Sequence, residues 1–80
     1  NIYPNPSNDY LNVEFSNLES SSFSISFENL LGQEILRKDF SSNNTINFYH
    51  KFNISSFANG VYYVNLITDN GKILKLITKN

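Results

Sequence analysis

The chain has no cysteine, no methionine and no tryptophan, and only one histidine, two prolines and three glycines among its 80 residues. Without cysteine, disulfide frameworks and thiolate metal sites are excluded. His50, flanked by Tyr49 and Lys51, lies in no motif that would bring a nucleophile and an orienting carboxylate together, so triad chemistry has no basis. At a strand end it reads as a surface residue. Gly32, Gly60 and Gly71 are too scattered to cradle a phosphate. Charge of one sign is missing too: six basic and seven acidic residues leave a net charge of −1. That balance argues against a nucleic-acid partner and against a basic membrane-binding face. Apolar runs extend only a few residues, so neither a signal peptide nor an inserted membrane segment is expected. Asp9, Glu14, Glu19, Glu28, Glu34, Asp39 and Asp69 are spread without ligand spacing or a calcium-loop pattern, and no metal or cofactor is expected.

What remains is one small domain spanning residues 1–80. A chain of this size buries only about 60% of the surface its unfolded form exposes, so its margin of stability is thin. Seven Phe and five Tyr nevertheless suffice for one compact core. Asn and Ser dominate the polar positions; their side chains compete for backbone hydrogen bonds and favour turns and strand edges over helices. With no initiator Met at Asn1, the chain reads as a piece of a longer protein.

Alternation of period two marks the strands. Leu11, Val13 and Phe15 alternate with Asn12 and Glu14; Phe23, Ile25 and Phe27 alternate with serines and Glu28. Leu30-Leu31-Gly32-Gln33 reads as a turn, with Gly32 free to take a positive φ, into a strand from Glu34 to Phe40. Ser41-Ser42-Asn43-Asn44 is a polar loop, and Thr45 to Tyr49 a further strand with Ile46 and Phe48 on one face. Asn53 to Asn59 is an irregular crossover anchored by Ile54 and Phe57. Val61 to Thr68 and Lys72 to Lys79 close the chain as a hairpin. About six or seven strands joined by Gly/Asn/Ser turns predict an all-β, immunoglobulin-like antiparallel β-sandwich.

Two local devices sharpen this expectation. In the last hairpin, a three-residue loop of Asp69, Asn70 and Gly71, with Gly71 left-handed in a bulge, pairs Thr68 with Lys72. That register sets Tyr62, Val64 and Leu66 against Thr78, Leu76 and Leu74 and makes one face strongly apolar. A two-residue Asn70-Gly71 turn mixes polar and apolar residues on both faces and is disfavoured. Tyr62, two residues after Gly60 at the start of a late strand, fits the tyrosine corner of immunoglobulin-like sandwiches. Its ring is expected inside with its hydroxyl tied to the preceding crossover, while Tyr63 points the other way, half exposed. At the other end, Pro4 and Pro6 lack amide donors and fix φ, so Tyr3-Pro4-Asn5-Pro6 is neither helix nor central strand.

The remaining motifs are ambiguous one by one. Asn43-Asn44-Thr45 and Asn53-Ile54-Ser55 fit the N-glycosylation sequon, but chance matches are expected in so Asn- and Ser-rich a chain. Lys72, Lys75 and Lys79 either protect a terminal strand from pairing with another chain or form a recognition strip; the residues alone leave both open. In order along the chain stand Tyr3-Pro4-Asn5-Pro6, Tyr10-Leu11-Asn12-Val13, Leu31-Gly32-Gln33-Glu34-Ile35, Phe57-Ala58-Asn59-Gly60-Val61-Tyr62-Tyr63-Val64 and Lys72-Ile73-Leu74-Lys75-Leu76-Ile77. This series resembles the type A C-terminal sorting domain of the type IX (Por) secretion system, over essentially the whole chain. Phe57 stands where that family more often has Leu, and Asn80 follows Lys79 where a basic terminus is usual.

The resemblance implies an address label rather than an enzyme. Its partners are an N-terminally fused cargo, the type IX translocon and a sortase-like cysteine peptidase. The cargo crosses the periplasm, passes the outer membrane, and is secreted or joined to lipopolysaccharide at the cell surface. On this basis Pro4, Asn5 and Pro6 form a stiff lead-in from the cargo linker that holds the cleavage region off the sandwich. Gly60 and Tyr62 fix the corner that orients the last hairpin. Lys72, Ile73, Lys75, Ile77 and Lys79 form the strip expected to be read by the translocon. The competing reading, a carbohydrate-binding or adhesion sandwich, rests on Tyr3, Tyr10, Tyr49 and Tyr63 as exposed aromatics.

Overall fold

The computed structural model describes residues 1–18, 22–41 and 46–80, and all its regular elements are strands. They are β1 (Ile2–Tyr3), β2 (Tyr10–Leu18), β3 (Ser22–Glu28), β4 (Glu34–Ser41), β5 (Ile46–Asn53), β6 (Gly60–Thr68) and β7 (Gly71–Lys79). Glu19, residues 42–45 with their sequon, and the Ile46 side chain lie outside the described residues. The strands form two antiparallel sheets, one ordered β1-β2-β5 and the other β4-β3-β6-β7. This is the expected immunoglobulin-like sandwich.

The alternation in sequence becomes the core. Leu11 and Val13 on β2 face Phe23, Ile25 and Phe27 on β3, with Phe52, Ile54, Tyr62, Val64, Leu66 and Ile77 completing the buried cluster. Aromatic rings do much of the filling: Phe27 meets Phe52 and Phe57 nearly edge-on, at centroid separations of 5.1 and 5.5 Å. Such pairs add about 0.5–1.5 kcal/mol beyond the area they bury. β3 lies between β4 and β6, and two serines of its outward row, Ser24 and Ser26, are buried as well. Ser24 is closed over by a 2.5 Å hydrogen bond from its hydroxyl to Asp39.

His50 is not a surface residue. Paired with Val13 across β2 and β5, it faces inward, half-buried, with its ring 4.5 Å from Phe52 and 5.3 Å from Phe40. The strand predicted to stop at Tyr49 runs on to Asn53, so the inward row Phe48–His50–Phe52 keeps its alternation through the histidine. Burial, reinforced by the nearby Lys38 charge, pushes its pKa below 6.5.

The turn before β4 forms as expected. Gly32 takes φ 82°, and the Asn29 side-chain oxygen accepts from the Leu31 and Gln33 amides at 3.0 Å each. The last hairpin differs. Thr68 pairs with Gly71, Leu66 with Ile73, Val64 with Lys75 and Tyr62 with Ile77, so the turn is the two residues Asp69 and Asn70. The predicted bulged register is off by one residue, and every side chain of β7 is on the opposite face from the one expected. Ile73, Lys75, Ile77 and Lys79 take the core-facing row, while Lys72, Leu74, Leu76 and Thr78 face outward beside Tyr63 and Asn65. The prediction failed because β7 is apolar on both faces, so period-two alternation could not choose between them.

Candidate functional site

The two motifs that bracket the sequence meet in space at the outer edge of β7. The segment leaving β1 crosses from one sheet to the other and lies along the last turns of that strand. Asn5 imitates a neighbouring strand with its side chain: its Oδ1 accepts from the Thr78 amide at 3.0 Å, and its Nδ2 donates to the Leu76 carbonyl at 3.4 Å. Ser7 continues the strap with its backbone, donating to the Thr78 carbonyl and accepting from the Asn80 amide at 2.8 Å each. It forms a parallel bridge with Lys79 and is completely buried, and its hydroxyl donates to the Pro4 carbonyl. Pro4 and Pro6 offer no amide of their own, so the strap closes an edge without presenting a further strand. The Pro4-Asn5-Pro6 lead-in is itself tied down to the sandwich through Asn5.

Tyr62 behaves as the corner residue. Its ring is buried against Phe57 at 5.1 Å, and its hydroxyl donates to the Ala58 carbonyl at 2.5 Å. The crossover beneath it is held by Ile54, which is fully buried and whose amide donates to the Asp9 carbonyl at 2.8 Å. Gly60 opens β6 at φ 150°, a conformation that side-chain-bearing residues rarely adopt. The Asn53 sequon side chain is engaged locally, accepting from both the amide and the hydroxyl of Ser55.

Of the predicted recognition strip, Lys72, Ile73 and Lys75 are exposed, whereas Ile77 and Lys79 are 2% and 7% exposed. The slip in register explains the difference: the same row that carries Ile73 and Lys75 at the open end of β7 runs into the core at Ile77. The Lys79 ammonium donates to the Asn80 carbonyl at 2.8 Å. Leu74 and Leu76, placed in the core by the sequence reading, are about half exposed on the outer face. Only knowledge of the register could have found them.

Strand alternation makes the consequence concrete. Leu76 and Thr78 turn backbone groups toward the strap, so Leu74 and Lys72, two and four residues before Leu76, turn theirs out from the same edge. The strap ends at Leu76, and no strand pairs with β7 on that side among the described residues. β7 is therefore half closed and half open. Gly71 begins it at φ 132°.

The tyrosines do not form one patch. Tyr3, Tyr10 and Tyr49 lie on the outer face of the three-stranded sheet, where Tyr49 donates to the Asn12 side chain at 2.7 Å. Tyr63 is half-buried on the other sheet, opposite Glu28. Lys51 stacks over the Tyr10 ring at 4.5 Å. Hydrogen bonding to the Glu14 carboxylate, which stabilises the neutral phenol, pushes the Tyr3 pKa up to about 12. Among the described residues no group of three or more His, Cys, Asp or Glu could hold a metal ion. On the far edge, the Ser24 hydroxyl and then Arg37 at 3.2 Å hold the Asp39 carboxyl below its usual range.

No curated protein and no solved structure matches the chain. A family model does match, and it covers residues 1–80: the secretion system C-terminal sorting domain. Such domains act as export signals that follow a fused cargo and carry it across the outer membrane of type IX-secreting cells. With its sandwich, its strapped last strand and a family match over its full length, this chain belongs to the secretion-system C-terminal sorting domains.

Proposed function

We propose that the folded sandwich is read by the translocon at the open half of β7, from Lys72 to Leu76. The observation that carries this reading is the contrast along one edge. Backbone groups beyond Leu76 are satisfied by Asn5 and Ser7, while those of Lys72 and Leu74 are free to pair with an added strand. Main-chain pairing supplies affinity there, and the side chains supply specificity: Leu74 and Leu76 on the outer face, Ile73 and Lys75 on the other. The strap would stop an incoming strand at Leu76 and so fix its register. The opposite edge, β4, carries Arg37, Lys38 and Asp39, the kind of charge that discourages strand addition. In this reading a sortase-like cysteine peptidase then separates label from cargo, which is released or joined to lipopolysaccharide.

Leu74→Pro tests the proposal. It removes an amide that faces outward, leaving the β6–β7 ladder, which runs through the odd-numbered residues of β7, intact. A reporter fused ahead of the domain is expected to lose surface display while circular dichroism still shows the folded sandwich. Undiminished display from a folded Leu74→Pro label would sink the assignment.

A further inference from the structure

The first strand of the sandwich stops short of the strand it pairs with. β1 has only two residues, Ile2 and Tyr3, set against Val13 and Asn12. Asn1 nevertheless already occupies the next place in the ladder: its carbonyl accepts from the Glu14 amide at 2.8 Å, and its nitrogen donates to the Glu14 carbonyl at 2.7 Å. β2 runs on past Glu14 to Leu18, with no strand beside it on the β1 side among the described residues. Directly under this unoccupied stretch a cleft opens between the sheets, lined by Ile2, Phe15, Ile25, Leu66, Ile73 and Lys75. Ile73 belongs to the core-facing row of β7 yet is 58% exposed, because the three-stranded sheet does not extend over it.

We infer that the polypeptide leading into Asn1 from the cargo docks on this surface, lengthening β1 along β2 and roofing the cleft. This rests on the reading of the chain as a label with its cargo ahead of it. The geometry specifies the docked residues by position. The one immediately before Asn1 falls opposite Phe15 and, like Ile2 two places later, points its side chain into the cleft, so an apolar residue fits there. The one before that falls opposite Ser16 and points outward. Antiparallel pairing alternates: Asn1 exchanges both hydrogen bonds with Glu14, so the first residue before Asn1 makes none and the second is the next to pair, at Ser16, where β2 enters the irregularity between Phe15 and Leu18 in its pairing with β5. The label thus includes a strand segment contributed by the linker. A peptidase separating label from cargo meets an extended, accessible chain only upstream of that segment.

The experiment compares purified forms of the 80-residue chain: alone, preceded by the six residues that lead into Asn1 in the parent protein, and with proline at the first or the second of these positions counted back from Asn1. The six-residue extension is expected to slow hydrogen exchange of the Ser16 amide at least tenfold and to raise the unfolding midpoint by about 5 °C. Proline at the second position removes the donor to Ser16 and is expected to abolish most of the rise. Proline at the first position, whose amide faces away from β2, is expected to leave Ser16 protected. No added protection from the parent residues overturns the inference, and so does equal protection with proline at the second position. These measurements involve no secretion machinery, so their failure leaves the sorting reading standing. That reading fails separately, if a fused reporter is not exported.

Discussion

Removing the Asn5 side chain should loosen one end of β7 without disturbing the rest of the sandwich. Asn5 contributes two hydrogen bonds of unequal quality. The acceptor contact to the Thr78 amide, at 3.0 Å, has normal length, and the donor contact to Leu76, at 3.4 Å, lies beyond the usual range and is weak. Both are exposed to water, so Asn5→Ala forfeits one net hydrogen bond, about 1 kcal/mol. For a domain of this size that lowers the unfolding midpoint by roughly 4–8 °C. The Thr78 amide, which loses its own acceptor, should exchange more than about fivefold faster, while the Ile77 amide, on the β6 side of the strand, should speed up by no more than the fivefold that the global loss sets. Ser7 holds the strap through backbone bonds at 2.8 Å that do not involve Asn5, so the segment should stay in place. Asn5→Asp separates the two contacts: its carboxylate still accepts from Thr78 but cannot donate to Leu76, so most of the stability should survive. Thermal melts and amide exchange on the three proteins decide the matter. If Asn5→Ala leaves Thr78 protection unchanged, or if Asp and Ala cost the same, the side chain is not acting as a substitute strand.

Two other perturbations follow from the same structure. Tyr62→Phe removes the donor to Ala58, an exposed residue whose carbonyl can turn to water, so denaturant titration should show a loss of about 1 kcal/mol. Tyr62→Ala also empties the corner, at about 3–5 kcal/mol, a large share of the roughly 4–12 kcal/mol expected for 80 residues; an unchanged Tyr62→Phe would refute the corner bond. His50 has its pKa lowered in the folded state by burial first and Lys38 second. Its contribution is therefore present above the ordinary value of 6.5 and lost as pH falls below it. The Asp39 carboxyl, lowered from 3.8, gives up its contribution only in more acid solution. The midpoint should accordingly drop between pH 7 and pH 5, and His50→Phe should flatten that drop; an equal slope in the variant would count against it.

The parts of this fold that were legible in sequence are those decided by neighbours along the chain. Phe23-Ser24-Ile25-Ser26-Phe27 announces which face is buried, and Gly32 announces its turn. Gly60-Val61-Tyr62 announces a corner whose acceptor, Ala58, is only four residues away. β7 is different. Ile73 and Ile77 on one face are matched by Leu74 and Leu76 on the other, so its pattern carries no preference. Its partners on the free side, Asn5 and Ser7, lie more than seventy residues earlier. The His50 misreading has a related origin, since only the continuation of β5 opposite Val13 shows that the ring faces in.

These long-range contacts also bear on function. An edge strand apolar on both faces is an aggregation hazard, and a fully closed one would offer nothing to bind. The strap resolves the conflict by covering the half of β7 nearest Asn80 and leaving the half nearest the hairpin turn exposed. Because the covering residues leave β1 directly, the position of the cargo linker and the exposure of β7 are mechanically linked. Under the proposed reading, a pull on the chain ahead of Asn1 would reach β1, then Asn5, and so the edge that the translocon is proposed to read. The order of the two motifs in sequence, prolines first and the paired strand last, is what makes that linkage possible.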